Sequence, residues 1–366
     1  MGPRNLRRGL VIALVVMLAV VTAHAGAAGA SRGAPDWVVK PATVKVPGQA
    51  LVVSCMSPAM CVISGPGVGK SDDSAELVVL HDGKVVRYLP IYAPWLGAGG
   101  VSISCPSAAG CVASVPTMFG AVLVKITRTG LVIHRQVNAA VGTSFDSISC
   151  RSQTTCELAG WDASNNGTIV VAAWNGTRLT AVRSISIPTG SGVGHTSPQI
   201  ACTGAWCEIA ANLLLPNSPS SDDDEAYLVT TYHGKPIGSH WVPGYQFTGI
   251  SCSAGQSCYT LLENYSPTSN PGSLLARVIR GVVGPPTQTG MRANDLACTG
   301  SRCTLVGVSL SNPAQAVGQI STFVRGEKTW SRFVPAALGL SEVSVGPRGF
   351  FVAIGTGLLG SVLTTG

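Results

Sequence analysis

From Val52 onward the chain is a succession of short apolar runs separated by polar, turn-forming clusters, and one order of elements recurs. An apolar strand enters a cysteine, as in VSISC (101–105), SISC (147–150), GISC (249–252) and DLAC (295–298). Four or five turn formers follow, and a second apolar strand leaves a second cysteine, as in CVASV or CTLVGV. After a polar loop of variable length comes a third strand, such as ELVVL, TIVVAAW or AYLVTTY, then a short turn and a fourth strand. The turns are His81-Asp82-Gly83, Thr129-Gly130, Asn175-Gly176, His233-Gly234, Arg280-Gly281 and Arg325-Gly326, where glycine supplies the positive φ that tight hairpins need. No segment has convincing helical periodicity, so the fold class is all-β.

The twelve cysteines form six close pairs: Cys55/Cys61, Cys105/Cys111, Cys150/Cys156, Cys202/Cys207, Cys252/Cys258 and Cys298/Cys303. Their first members lie 50, 45, 52, 50 and 46 residues apart, a period that belongs to propeller blades. Four up-and-down strands per repeat predict a β-propeller rather than a sandwich. A further copy, SEVSVGPRGFFVAIG (341–355), puts Val345 and Phe351 at the cysteine positions, and the chain ends before that copy is complete. The expectation is therefore a seven-bladed propeller of four-stranded antiparallel blades, the seventh closed by the N-terminal segment Trp37 to Val46. Its blades would be about 49–99, 100–144, 145–196, 197–246, 247–292, 293–340, and 341–366 with 37–48, in one domain over 37–366.

Two chemistries compete for the cysteines. Structural zinc draws four ligands into one cluster at two- to four-residue spacing, usually with histidines at regular offsets. Here the pairs recur at blade distance, and the loss of both cysteines together in the last copy fits mutual bonding. Six intrablade disulfides are the expectation, gathered with the Gly turns on one face of the disc, and they require an oxidising compartment. The N-terminus agrees: Arg4, Arg7 and Arg8 precede the apolar run Leu10 to Val21, and Ala23-His24-Ala25 is a small-x-small cleavage site. Residues 1–25 thus read as an export signal and 26–36 as a flexible linker, giving a secreted, extracellular product with no membrane span after cleavage. The formal net charge of +7 drops when that segment is removed, and no clustered Lys and Arg with interleaved aromatics suggests nucleic acid.

The SC-[PS]-S-x-x-x-C-V-A pattern, clearest in ISCPSAAGCVAS (103–114), resembles the repeats of secreted bacterial β-propellers of the WD40-like or BNR-like (sialidase-type) kind. That resemblance implies a rigid disc presenting loops for binding. Sialidase chemistry itself is not implied: no complete S-x-D-x-G-x-T-W box occurs, RGEKTW (325–330) being the nearest approach, and no arginine cluster is marked. GPGVGKS (65–71) misses the phosphate-binding P-loop spacing by one residue and no helix follows it; neither H-E-x-x-H nor G-x-S-x-G is present.

With strand one innermost, the variable loops share one face with the connections between blades. The candidate ligand-binding residues are Trp95, Asp162, Asn165, His195, Asp222, Asp223, Asp224, Tyr245, Phe247, Glu263 and Tyr265, acidic and amide groups beside aromatic platforms. No catalytic residue and no obligatory cofactor is expected; Asp222, Asp223 and Asp224 are the candidate calcium ligands. The function read from this pattern is a monomeric, noncatalytic module binding a glycan, cell-wall component or protein. The alternative is a carbohydrate-active hydrolase or lyase working through paired carboxylates.

Overall fold

A computed structural model describes residues 16–21, 40–44 and most of 52–364. Outside the description fall 67–73, 93–99, 139–141, 163–167, 188–191, 194–196, 215–223, 254–256, 265–271, 312–316, 346–349, 357–361 and one or two residues at a few turns. The chain is an all-β propeller. Blade I comprises Val52–Ser57, Met60–Pro66, Ser74–His81 and Lys84–Tyr92, and blade II comprises Ser102–Ser107, Gly110–Thr117, Gly120–Thr127 and Val132–Asn138. Blade III is Ser147–Ser152, Thr155–Asp162, Thr168–Trp174 and Leu179–Ile185. Blade IV is Gln199–Thr203, Trp206–Leu214, Asp224–Tyr232 and Lys235–Val242, with the short Gly192–Val193 also pairing along its second strand. Blade V is Tyr245–Ser253, Ser257–Asn264 and Leu274–Ile279, its outer position divided between Val282–Val283 and Thr287–Gln288. Blade VI is Met291–Thr299, Arg302–Ser309, Gly318–Val324 and Glu327–Val334.

The expected count of seven blades is corrected to six. Among the described residues the C-terminal copy supplies only two strands of blade type, Gly339–Val345 and Phe351–Thr356. The sheet they start runs on through Val16–Val21, Val362–Thr364 and Lys40–Val44, with Val20 paired parallel to Thr364. It is a five-stranded mixed sheet that closes the ring between blades VI and I, not a four-stranded antiparallel blade. The segment expected to complete it alone, Trp37 to Val46, contributes Lys40–Val44 at the far edge. The place beside Phe351–Thr356 goes to Val16–Val21, a segment expected to belong to the export signal.

The six cysteine pairs are disulfides within the first hairpin of their blade: Cys55–Cys61, Cys105–Cys111, Cys150–Cys156, Cys202–Cys207, Cys252–Cys258 and Cys298–Cys303. No described cysteine is free. Their hairpins lie beside the outer Gly turns, His233 N–H donating to the Ala205 carbonyl and Arg325 N–H to the Ser301 carbonyl, each at 2.8 Å, while the second cysteine of each pair belongs to the interior. Cys61, Cys111 and Cys303 are at most 3% exposed, and Cys156, Cys207 and Cys258 are buried likewise. Cys61 packs with Val53 and Val352 between the closing sheet and blade I, Cys111 with Ile103 and Ile126 between blades I and II, and Cys303 with Leu296 and Tyr259 between blades V and VI. The reason is their register: each begins the strand that is flanked by blade neighbours on both faces, so its sulfur fills interblade space as an apolar atom. The second cysteine of each pair is thus a core residue, whereas Cys105, Cys150, Cys202, Cys252 and Cys298 are only partly buried and Cys298 lines the central channel.

The outer hairpin turns hold the expected geometry. His233-Gly234, Arg280-Gly281 and Arg325-Gly326 have positive φ at both residues, from 49° to 86°, the backbone of the type I′ turn whose twist matches the strands.

There is no single core. Apolar side chains fill the interface between each sheet and the next. Val62, Leu77 and Val124 lie between blades I and II, Phe145, Leu158 and Leu123 between II and III, and Leu305, Phe323 and Leu261 between V and VI. The closing sheet packs Phe351 and Ala353 on blade VI and Val352 and Ile354 on blade I. Inner strands therefore bury both faces, which explains continuous apolar runs such as Gly110–Thr117, buried throughout.

One glycine position is dictated by backbone proximity. Gly160, Gly307 and Gly355 follow the second cysteine position by four, and a Cβ there would run into the backbone of the innermost strand or the segment leading into it: the carbonyl oxygens of Ser144, Arg292 and Gly339. At the latter two the facing strand is bulged, between Ala293 and Asp295 and between Leu340 and Glu342. A Gly307→Ala substitution should cost about 3 kcal/mol, since backbone must move to admit the methyl. A urea denaturation midpoint unchanged from the parent would refute this account.

Candidate functional site: the central channel

The seven innermost strands surround a channel of about 540 Å³. An innermost strand has an unpaired edge whose N–H groups need acceptors. The repeat provides them from the neighbouring blade. The serine just before the first cysteine accepts a hydrogen bond from the cysteine N–H of the next blade: Ser104 from Cys150 at 2.9 Å, Ser149 from Cys202 at 3.0 Å and Ser251 from Cys298 at 2.9 Å. Ser344 accepts from Cys55 at 3.0 Å and so ties the closing sheet to blade I. Two residues earlier in the motif a second rung runs the same way, Ser102 accepting from Ile148 N–H at 3.2 Å and Ser147 from Ile200 N–H at 3.0 Å.

At that second rung blade VI carries Asp295 in place of serine. Its Oδ2 accepts from Val343 N–H at 2.8 Å, doing the serine's work with a carboxylate. The corresponding residue of the closing sheet is Glu342, and the two acids hydrogen-bond to one another. Each follows a bulge, and both line the channel. Burial pushes Asp295 up to about 6, opposed by the Val343 N–H. Glu342 rises well above the ordinary carboxyl range through burial and the adjacent Asp295 charge. Neighbouring carboxyls cannot both ionise cheaply, so near neutral pH Glu342 keeps the proton and donates it to Asp295, leaving one negative charge on the pair.

A third acid, Asp146, also lines the channel, where the chain enters the inner strand of blade III. Ser144 donates to its Oδ2 at 3.2 Å, whereas its Oδ1 is buried without a hydrogen-bond partner. Burial raises its pKa against the opposing Ser144 and Ser197 hydroxyls. Ser54, Ser102, Ser147, Ser197, Ser251, Ser344 and Gln199 give the rest of the lining its polar character; Val53, Ile148, Leu296 and Val343 are among the apolar residues. Among the described lining residues there is no Lys, Arg or His.

Among the described residues, none of the sequence-predicted site residues lines this channel. Asp162 is buried at the end of the second strand of blade III. Phe247 is 5% exposed and packs in the core between blades IV and V, its backbone held by Asn212 at 2.7 and 2.9 Å, so its ring is not a platform for a ligand. Tyr245 leans on the same core, and Glu263 faces Arg292 at 3.6 Å. Trp95, Asn165, His195, Asp222, Asp223 and Tyr265 lie outside the described residues, as does the side chain of Asp224, which begins the third strand of blade IV. Sequence reasoning passed over Asp146, Asp295 and Glu342. The signal for the last two was a column comparison of the copies, in which NDLAC and SEVSV put acids where SISC has serine.

Beside the disulfide hairpins a second group lies between blades IV and V. Glu208, next to Cys207, is 3% exposed and accepts hydrogen bonds from Thr230 Oγ1 at 2.7 Å and from Gly281 N–H of the next blade's outer turn at 3.0 Å. Burial raises its pKa to about 7. Arg280 lies over the Trp206 ring at 5.5 Å, and Trp206 meets Tyr232 at 4.9 Å. Glu157 holds the same place after Cys156, paired with Arg151 at 3.3 Å and close to Gly234. Glu208 thus fastens blade IV to blade V, whereas the Glu157 pairing stays within blade III.

The geometry defines the class: a β-propeller with disulfide-bonded hairpins. No protein-family model and no curated protein matches the sequence. Among solved structures the chain is similar to hydrazine synthase of Kuenenia stuttgartiensis, at 11% identity and a TM-score of 0.60 over 87% of this chain and 95% of that one. It is also similar to YCF48 from Cyanidioschyzon merolae, at 11% identity and TM-score 0.51, covering 89% and 98% of the two chains. A prolyl endopeptidase is matched at 11% identity and TM-score 0.52 over 96% of this chain but 47% of its own. Their functions differ, and likeness at this identity establishes the fold alone.

Proposed function

We propose that the protein is an exported, noncatalytic propeller that binds a glycan of the cell wall or extracellular space at its central channel. The observation that carries this reading is the channel itself, a polar cavity of about 540 Å³ at the hub of the disc, furnished with hydroxyls, an amide and carboxylates. Six disulfides fit an oxidising, extracellular setting, and no helix among the described residues is long and apolar enough to cross a membrane.

The paired carboxylates give a hydrolase reading its one support. Glycosidases, however, hold their two carboxyl groups about 5 to 9.5 Å apart so that the glycosidic oxygen or a water fits between them. Asp295 and Glu342 are in direct hydrogen-bond contact, and an Asp295 oxygen is committed to Val343. Binding accounts for that arrangement better than acid–base cleavage.

The test is a glycan-array and cell-wall-fragment screen of the disulfide-intact protein beside the Gln199→Trp variant, whose indole intrudes on the channel from an exposed lining position. Binding by the parent and at least about tenfold weaker binding by the variant is expected. Undiminished binding by the variant would move the site off the channel. Turnover of a polysaccharide, lost on Glu342→Gln substitution, would replace the binding reading with the enzymatic one.

A further inference from the structure

We propose that Asp295 and Glu342 form a pH-operated latch on the ring: while the two share a proton they tie blade VI to the closing sheet, and once both are ionised they force that seam apart. Asp295 belongs to the inner strand of blade VI, Met291–Thr299, and Glu342 to the inner strand of the closing sheet, Gly339–Val345, so their hydrogen bond crosses from one sheet to the next. Asp295 Oδ2 also accepts from Val343 N–H at 2.8 Å, which makes one carboxyl both latch and rung. Ala297 stands where blades II, III and V have the serine of the other rung, so no such serine backs up this seam. A further bond across it lies next to the latch, from Asn294 Nδ2 to the Leu340 carbonyl at 2.7 Å.

The surroundings supply no cation to hold a second negative charge. The strands packed against the pair are the inner strand of blade V, the second and third strands of blade VI, Val52–Ser57 of blade I and Phe351–Thr356. Together with the pair's own strands, these carry Tyr245, Arg292 and Arg302 as their other titratable residues beside the bonded cysteines. Arg292 faces Glu263 at 3.6 Å, and Tyr245 leans on the core between blades IV and V. Arg302 stands opposite Thr299 at the hairpin end of its strand, whereas Asp295 is opposite Val306. Asp146, the other acid of the described channel lining, has the same sign. Two carboxylates in contact without a counter-charge repel.

Opening of the seam gives both carboxyls to water, where each ionises in its ordinary range. Closed, the pair keeps one proton near neutral pH. The closed form thus binds one proton more than the open form, and raising the pH favours opening by about tenfold per unit until Glu342 ionises in place. Acidification shuts the latch.

Amide hydrogen exchange of the disulfide-intact protein, resolved to single amides by mass spectrometry with electron-transfer fragmentation, tests the latch. The rung of blade III is the internal control, because Cys150 N–H rests on the Ser104 hydroxyl, which does not titrate. From about pH 6 to about pH 8, protection of Val343 N–H, corrected for the intrinsic rate, should fall about tenfold per unit, while that of Cys150 N–H stays within about twofold. Glu342→Gln retains a donor to Asp295 and removes the second charge, so its Val343 profile should be level over the same range. Asp295→Asn retains an acceptor for Val343 N–H and a donor to Glu342, and it should level the profile too, which keeps the test decisive if the first variant does not fold. A level profile in the parent, or a slope that persists in a folded variant, would overturn the latch. An equal fall at Val343 and Cys150 would also overturn it, since that would report opening of the whole fold, to which Glu208 contributes, rather than of this seam.

Discussion

Reduction should unfold this protein, or nearly so. Each disulfide closes a loop spanning five or six positions, for which the chain-entropy model gives about 2 kcal/mol of denatured-state restriction. Six such terms together are comparable with the roughly 5–15 kcal/mol that separates a typical folded domain from its unfolded chain. Because sulfurs such as those of Cys61, Cys111 and Cys303 lie in the interblade cores, a reductant reaches them through opening of the fold, so it must be present during denaturation. Urea denaturation with and without a phosphine reductant should show a collapse of the midpoint. The double variant Cys150→Ser/Cys156→Ser should lose about 2 kcal/mol on its own. A reduced protein as resistant to urea as the oxidised one would show that the interblade cores suffice without the staples.

The second large effect belongs to Glu208. Its carboxyl is ordinary in the unfolded chain, near 4.5, and is raised to about 7 by burial in the fold. Between those values the native protein holds a proton that the unfolded chain gives up, so stability declines as pH rises through the window and the full penalty stands above 7. A rise of that size corresponds to about 3 kcal/mol. Asp295, raised to about 6, contributes to the same slope from the opposite side of the ring closure. Glu208→Gln keeps an acceptor for the Gly281 N–H and never ionises. It should therefore match the parent near pH 4.5 and exceed it by about 1–3 kcal/mol at about pH 8, measured by urea denaturation across the range. A variant less stable than the parent at the alkaline end would mean that the charged carboxylate holds blades IV and V together.

What the sequence disclosed and what it withheld have physical causes. Cysteine spacing and the His-Gly and Arg-Gly turns are local signals, since five or six residues fix a hairpin whatever surrounds it. The strand order within each blade followed from them. The blade count depended on what happens beyond an incomplete repeat. There pairing is set by which apolar segment reaches Phe351–Thr356, and Val16–Val21 is as able to pair as Trp37 to Val46. Exposure was the weakest inference, because it depends on what the neighbouring blade covers. Phe247, placed on a ligand-facing connection, sits instead inside a long inner strand, Tyr245–Ser253, with a bulge beside it. Cys61, Cys111 and Cys303 were legible as bonded partners, whereas their burial against the next sheet was not. The channel acids escaped notice because nothing in NDLAC or SEVSV marks a site until the copies are stacked around an axis and the serine column is seen to be interrupted.

The serine rungs also bear on how the ring could be recut. They join blade II to III, III to IV, V to VI and the closing sheet to blade I through a side chain and a backbone N–H, in the same sense from Ser104 to Cys150 and again from Ser344 to Cys55, whereas blade IV has Ala201 at that place. The seam between the closing sheet and blade I thus carries the same contact as the seam between blades II and III. A chain whose ends were fused and reopened in another interblade connection would retain every one of these rungs. In this ring the N- and C-terminal segments meet inside the closing sheet, where Val16–Val21 pairs with Phe351–Thr356, rather than at a rung-bearing seam.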